Sequence, residues 1–189
     1  MITGYRNSLL LMLAGILLIS CKEEESRPFA NPTQIDTYFP VSDFLEEKIK
    51  KSEGVAVSKV IQFNEESEEV RFQPDQEAWR KELDFFFQAD INKAAFATAY
   101  STKEEEGLLV HRLKPGEKGT IKEIRVQKRR DRVVSIRVET LNDNLFYHSE
   151  VSGEIRLDAE ENLTGYQLLG NQKVWFISPT RLRVTAEIE

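Results

Sequence analysis

The chain is poor in the residues that carry most protein chemistry. Among 189 residues it has one cysteine, Cys21, and two histidines, His111 and His148. A lone cysteine excludes an intramolecular disulfide, so the fold must rest on its apolar core even in an oxidising compartment. It also excludes clusters of thiolate metal ligands. No His-x-x-x-His, Cys-x-x-Cys or Asp-x-Asp-x-Asp-Gly spacing occurs, so no recognisable metal site is present. The stretch Gly116-Glu117-Lys118-Gly119-Thr120 is glycine-rich but lacks the Walker spacing of a phosphate cradle. His148 and Ser149 are neighbours in a predicted strand, where successive side chains take opposite faces, so they cannot serve as base and nucleophile. A net charge of −6 argues against nucleic acid as a partner. No cofactor is expected, and the chain reads as non-enzymatic.

What is present begins with an address. Arg6 precedes an uninterrupted apolar and small run, LLLMLAGILLI, over residues 9–19, followed by Ser20 and Cys21. A short positive region, an apolar core and a small-residue exit are the parts of a secretory signal. As a helix the run would rise about 16 Å, well short of the roughly 30 Å hydrocarbon core of a bilayer. Leu18-Ile19-Ser20-Cys21 resembles the lipobox of bacterial lipoproteins. That resemblance implies cleavage before Cys21 and attachment of acyl chains to it, a firm anchor where two or more chains are present. Residues 22–34 are polar with two prolines and read as a flexible tether from Cys21. Within it, Lys22-Glu23-Glu24-Glu25 resembles the lysine-plus-acidic export signal of surface lipoproteins in the Bacteroidota. Lys22 also differs from the aspartate that marks inner-membrane retention in enterobacterial lipoproteins. The resemblance implies the outer membrane, with surface exposure.

Residues 35–189 have the length of one domain with a good core. Ser42 is placed to cap a helix over residues 43–50, with acids early and lysines late as the helix dipole prefers. Residues 55–63 are β-branched and strand-like, 64–69 read as a hairpin loop and 70–72 as the returning strand. Pro74-Asp75 opens a second helix running to about Ala89. Strands are then expected at 95–102, 108–113, 120–128, around Val134, Ile136 and Val138, and at 145–157, 163–169, 174–177 and 181–188. Turns are expected at Lys103-Glu104-Glu105-Glu106-Gly107, Lys114-Pro115-Gly116, near Asp131 and at Gly170-Asn171. The pattern predicts an α+β domain: an antiparallel β meander, curved, with two helices from the N-terminal half on one face.

In the second helix, Trp79, Leu83, Phe86 and Phe87 share a face and are expected in the core, while Phe85 falls off it. The helix exits through Ala89-Asp90-Ile91-Asn92-Lys93. Asp90 opposes the dipole there and calls for an Asx-type turn, a backbone donor or Lys93 as compensation. Trp79-Arg80-Lys81-Glu82-Leu83 followed by Ala89-Asp90-Ile91-Asn92-Lys93 and a β meander resembles an uncharacterised family of Bacteroidota lipoproteins. It implies a shared fold and no activity.

One charge cluster stands out in this acidic chain. Arg125, Lys128, Arg129, Arg130, Arg132 and Arg137 surround the turn near Asp131. They read as a solvated hairpin tip that protects a sheet edge, or as a patch for an anionic glycan, lipopolysaccharide or an acidic envelope protein. The expected function is a binding or assembly role at the membrane through lipidated Cys21. The alternatives are a half-barrel carrier of an apolar ligand and a hydrolase with an unrecognised site.

Overall fold

The computed structural model describes residues 34–189; residues 1–20, Cys21 and Lys22-Glu23-Glu24-Glu25 lie outside the described residues. Thr33–Glu189 form one compact unit. The elements are α1 (Val41–Lys51), β1 (Val57–Phe63), β2 (Glu66–Phe72), α2 (Gln76–Glu82), α3 (Asp84–Phe87), a 3₁₀ turn (Ala94–Phe96), β3 (Tyr100–Glu105), β4 (Leu108–Leu113), β5 (Ile121–Arg129), β6 (Arg132–Asp143), β7 (Tyr147–Leu157), β8 (Leu163–Val174) and β9 (Thr180–Ile188). The strands make one sheet in the order β2-β1-β9-β8-β7-β6-β5-β4-β3, with every pairing antiparallel. The chain is thus an open α+β meander with helices from its N-terminal half, as expected. Its edges, β2 (ESEEVRF) and β3 (YSTKEE), are dense in charge, which discourages pairing with another sheet. Among the described residues no helix is long and apolar enough to cross a membrane.

The helices cover one face of the sheet. From α1 that face receives Val41, Leu45, Lys48 and Ile49, spaced as one helical stripe. From α2 and α3 it receives Trp79, Leu83 and Phe86, and the sheet contributes Val57, Ile124, Val126, Ile136, Val138, Ile155, Tyr166 and Ala186. Trp79 is the largest fully buried side chain, and its Nε1 donates to the Ser52 carbonyl at 2.8 Å. Lys48 lies in this layer because its ammonium meets Glu161 Oε2 at 3.0 Å and stands over the Phe44 ring. Burial alone would raise the Glu161 carboxyl, but the Val133 N–H and Lys48 outweigh it and hold the group below its ordinary range. At the end of α2, Glu82 accepts from Lys59 at 2.6 Å and from the Tyr166 hydroxyl, fastening the helix to β1 and β8. Desolvation, reinforced by Glu82, pushes the Tyr166 phenol far above its usual value.

Several local expectations are corrected. Ser42 is no cap: Pro40 occupies that position without a side-chain bond, and the Ser42 hydroxyl donates to the Phe87 carbonyl. Residues 66–69 are strand rather than loop, because β1 pairs with them residue by residue across the short turn Asn64-Glu65. The second helix is capped by Asp75, which accepts from Ala78 N, but it breaks at Leu83 (φ −100°, ψ 15°). The break lets Phe85 reach the sheet, where a Cβ on Gly153 would stand 2.5 Å from its ring; glycine is what permits that approach. Residues 95–99 form a 3₁₀ turn and loop whose Phe96 and Ala97 carbonyls accept from the Tyr38 hydroxyl, so β3 starts only at Tyr100. Gly170-Asn171 is mid-strand, since β7 and β9 flank it on both sides and pair with both residues. The turn that follows is instead at residues 175–179. Gln34, assigned to the tether, bridges to Lys93.

Candidate functional site

The arginine cluster divides once the strands are in register. Arg125 and Arg137 stand on the sheet face opposite the helices, where Arg125 bonds Glu123 and Arg137 bonds Glu154. Arg125 and Glu123 are neighbours two residues apart on β5, while Arg137–Glu154 belongs to a set of cross-strand pairs, with Arg112–Glu123 at 2.5 Å and Arg156–Glu187 at 2.6 Å. Arg156 spans β8 to reach Glu187 because Gly165 lies between them; a Cβ there would sit 2.5 Å from the guanidinium. Lys128 meets Glu104 at 3.3 Å. Arg112, Arg125, Arg137 and Arg156 are matched by acids and keep that sheet face polar; the Glu123 carboxylate is buried between its two arginines, while a pair exposed on both sides is worth at most about 1 kcal/mol.

Arg129, Arg130 and Arg132 remain together at the β5–β6 turn. With Asp158, Ala159, Val134 and Leu157 they line a cleft of about 580 Å³ between this turn and the β7–β8 loop. Arg132 donates to the Ala159 carbonyl, and among the described residues neither Arg129 nor Arg130 forms an ion pair. Arg130 and Asp131 both have positive φ, 53° and 63°. That geometry matches the twist of a two-residue hairpin, but it is one an arginine side chain rarely adopts. Asp158 is the one acid of the cleft, and its carboxylate is already engaged. The N–H of Asn162, aided by the N–H of Glu160, holds it below the ordinary range. An anion entering the cleft would meet three guanidinium groups against one such carboxylate.

The histidines and the Asp90-Asn92-Lys93 junction are parts of the scaffold. His111 is buried, accepting Phe39 N–H at Nε2 (3.0 Å), which leaves Nδ1 to donate to Thr102 Oγ1 (2.9 Å) on the neighbouring strand. Burial depresses its imidazole to about 4. Asp90 accepts from Asn92 N, making the Asx turn that its position at a helix end requires. Asn92 then clamps the entering chain: its Oδ1 accepts from Thr37 N and Tyr38 N, and its Nδ2 donates to the Tyr38 carbonyl. His148 is exposed beside Asp143.

A second feature was not singled out in the sequence. Residues 145–146 and 175–177, expected as strand, are hairpin loops at the opposite end of the sheet from the arginines. Leu145 is 89 % exposed, Phe176 81 % and Trp175 72 %, with Phe146 and Ile177 more than half exposed. The two loops lie side by side: Trp175 N donates to the Phe146 carbonyl at 3.0 Å, and the two rings are 6.0 Å apart. The legible signals were the charge-free stretches Asn144-Leu145-Phe146 and Trp175-Phe176-Ile177-Ser178-Pro179, the latter ending in a proline that a central strand would not hold.

The chain matches no protein-family model, no curated protein and no solved structure. The lipobox and family resemblances therefore rest on their motifs alone.

Proposed function

We propose that this chain is an outer-membrane lipoprotein, held through acylated Cys21 and presented at the surface by Lys22-Glu23-Glu24-Glu25, whose domain has a non-enzymatic binding or assembly role. The observation that carries the binding reading is the arginine cleft at the β5–β6 turn; the buried polar groups, by contrast, serve the scaffold. Among the described residues no buried side-chain nitrogen or oxygen lacks a hydrogen-bond partner. His111, Asn92 and Lys48 are all committed to fastening one segment to another. The space between sheet and helices, where a carrier would hold its ligand, is occupied by Trp79, Phe86, Leu45, Ile124 and Ile136, all closed to solvent. The arginine cleft is the surface we assign to an anionic glycan or acidic envelope protein.

The anchor is tested by replacing Cys21 with serine and following labelled palmitate and membrane fractionation. The parent chain is expected to carry label and sediment with membranes, and Cys21→Ser to lose the label and be released or remain unprocessed. Equal labelling and sedimentation of both would refute the anchor.

A further inference from the structure

We infer that the paired loops at residues 144–146 and 175–179 are a membrane-contact tip that enters the interfacial layer of a lipid bilayer. The inference leans on the proposed anchor at Cys21 only for bringing a bilayer within reach. From Cys21 to Gln34 is 13 residues, which sets an upper limit of about 45 Å on the distance between them. A domain anchored at Cys21 within that distance is confined beside the bilayer, so even a weakly inserting tip meets it at high effective concentration.

The chemistry of the tip fits lipid. The eight residues of the two loops carry no charge and include Leu145, Phe146, Trp175, Phe176 and Ile177. Tryptophan on an otherwise wet domain suits the headgroup boundary, where its ring buries its body and leaves its N–H hydrated, while leucine, isoleucine and phenylalanine supply apolar area. The shape fits as well. Anchors at protein interfaces generally lie within a sheltered patch ringed by other contacts. Here the most exposed apolar side chains of the described residues stand outermost, on two adjoining hairpin ends. Behind them the collar is polar and of mixed sign. Lys173 pairs across strands with His148, His148 lies 3.3 Å from Asp143, and Asn171 stands between Glu150 and Arg181. A mixed collar sets a depth limit without attracting anionic lipid, so apolar transfer supplies the affinity and binding should change little with salt.

The chain supplies its own reporter. Of its two tryptophans, Trp79 is sealed in the core and Trp175 stands on the tip. The full chain, purified from detergent-solubilised membranes, is reconstituted into vesicles of phosphatidylethanolamine with a minor share of phosphatidylglycerol, with and without acyl-chain bromine. Bromine is expected to remove roughly half of the total emission, the share of one tryptophan in two. Trp175→Phe should lose that response while keeping the Trp79 signal. The exposed changes Leu145→Asp and Phe176→Asp should withdraw Trp175 from bromine and open it to aqueous iodide, with circular dichroism unchanged. Mass analysis of the N-terminal peptide reads the anchor separately. Quenching of Trp175 without acylation would sustain the tip and refute the anchor. Acylated chain with Trp175 open to iodide and blind to bromine would overturn the tip and leave the anchor standing. Blindness to bromine, with Leu145→Asp shedding a co-purifying envelope protein, would overturn it in favour of a protein partner.

Discussion

Truncating Trp79 to alanine tests the packing that holds the helices to the sheet. The side chain is fully closed to solvent, and its Nε1 donates to the Ser52 carbonyl at 2.8 Å. Removing a buried tryptophan costs about 3–5 kcal/mol, combining lost transfer energy with the cavity left behind. The orphaned Ser52 carbonyl adds little, because it also accepts from Val55 N at 3.2 Å. A loss near 4 kcal/mol is therefore expected, out of a total of about 5–15 kcal/mol for a domain. At about 2–4 °C per kcal/mol for a domain of this size, Tm should fall by roughly 8–16 °C. Trp79→Phe keeps most of the apolar volume but loses the hydrogen bond, and should cost about 1–2 kcal/mol. Urea unfolding followed by far-UV circular dichroism reads all three proteins without relying on the fluorophore being removed. An unchanged m-value with a shifted midpoint would confirm a pure stability effect. A loss below about 1 kcal/mol for the alanine variant would refute the placement of Trp79 at the centre of the core.

His111 makes stability depend on pH. Its folded imidazole sits at about 4, against roughly 6.5 in an unfolded chain. As pH falls from about 6.5 toward 4 the unfolded chain gains a proton that the folded chain resists. Stability should drop over that window by up to about 3 kcal/mol and be flat above it. Urea midpoints across the window should lose this slope in His111→Gln; an equal slope in the variant would refute the assignment. At the other end of the sheet, changing Arg129, Arg130 and Arg132 together to glutamine should leave stability within about 0.5 kcal/mol. The same change should weaken retention on immobilised heparin or lipopolysaccharide at low salt, since exposed charges act over only about 8 Å at physiological ionic strength. Identical retention would remove the arginine cleft as an anion site.

How much was legible follows from how local each signal is. β4 over Leu108–Leu113 matches its expected bounds because Gly107 and Lys114-Pro115 punctuate it on both sides. The spacing of Trp79, Leu83, Phe86 and Phe87 was legible as one apolar stripe; the first three land in the core and Phe87 packs half-buried against it, although the helix itself breaks at Leu83. What failed needed knowledge of neighbours. Residues 66–69 are acidic and look like a loop, yet an edge strand needs only one partner and tolerates charge on both faces. Gly170-Asn171 signals a turn only in a chain free to turn, and between β7 and β9 its backbone groups are already claimed. The Leu83 break has no proline or glycine to announce it; it is the answer to seating both Phe85 and Phe86. The arginine cluster was visible as composition, but which of its members are neutralised depended on Glu123 two residues away on β5 and, through cross-strand register, on Glu154 and Glu104. That register also separates the three residues at the cleft from the rest.

The two surface features constrain each other. β6 runs 12 residues from the arginine turn to the apolar loop after Asp143, a distance of roughly 40 Å at the rise of an extended strand. The arginine cleft and the apolar tip therefore cap opposite ends of the same long strands. A bilayer that received Phe176 and Leu145 would lie roughly 40 Å from Arg129 and Arg130, several Debye lengths beyond the reach of their charge. Headgroups of that same leaflet could not be what the arginines hold. Their partner would have to stand away from the membrane, as a glycan or an acidic protein does. Retention of the triple glutamine variant on vesicles should then equal that of the parent chain even where its capture on heparin is weakened. Vesicle binding that depended on both ends at once would mean that one of the two assignments is wrong.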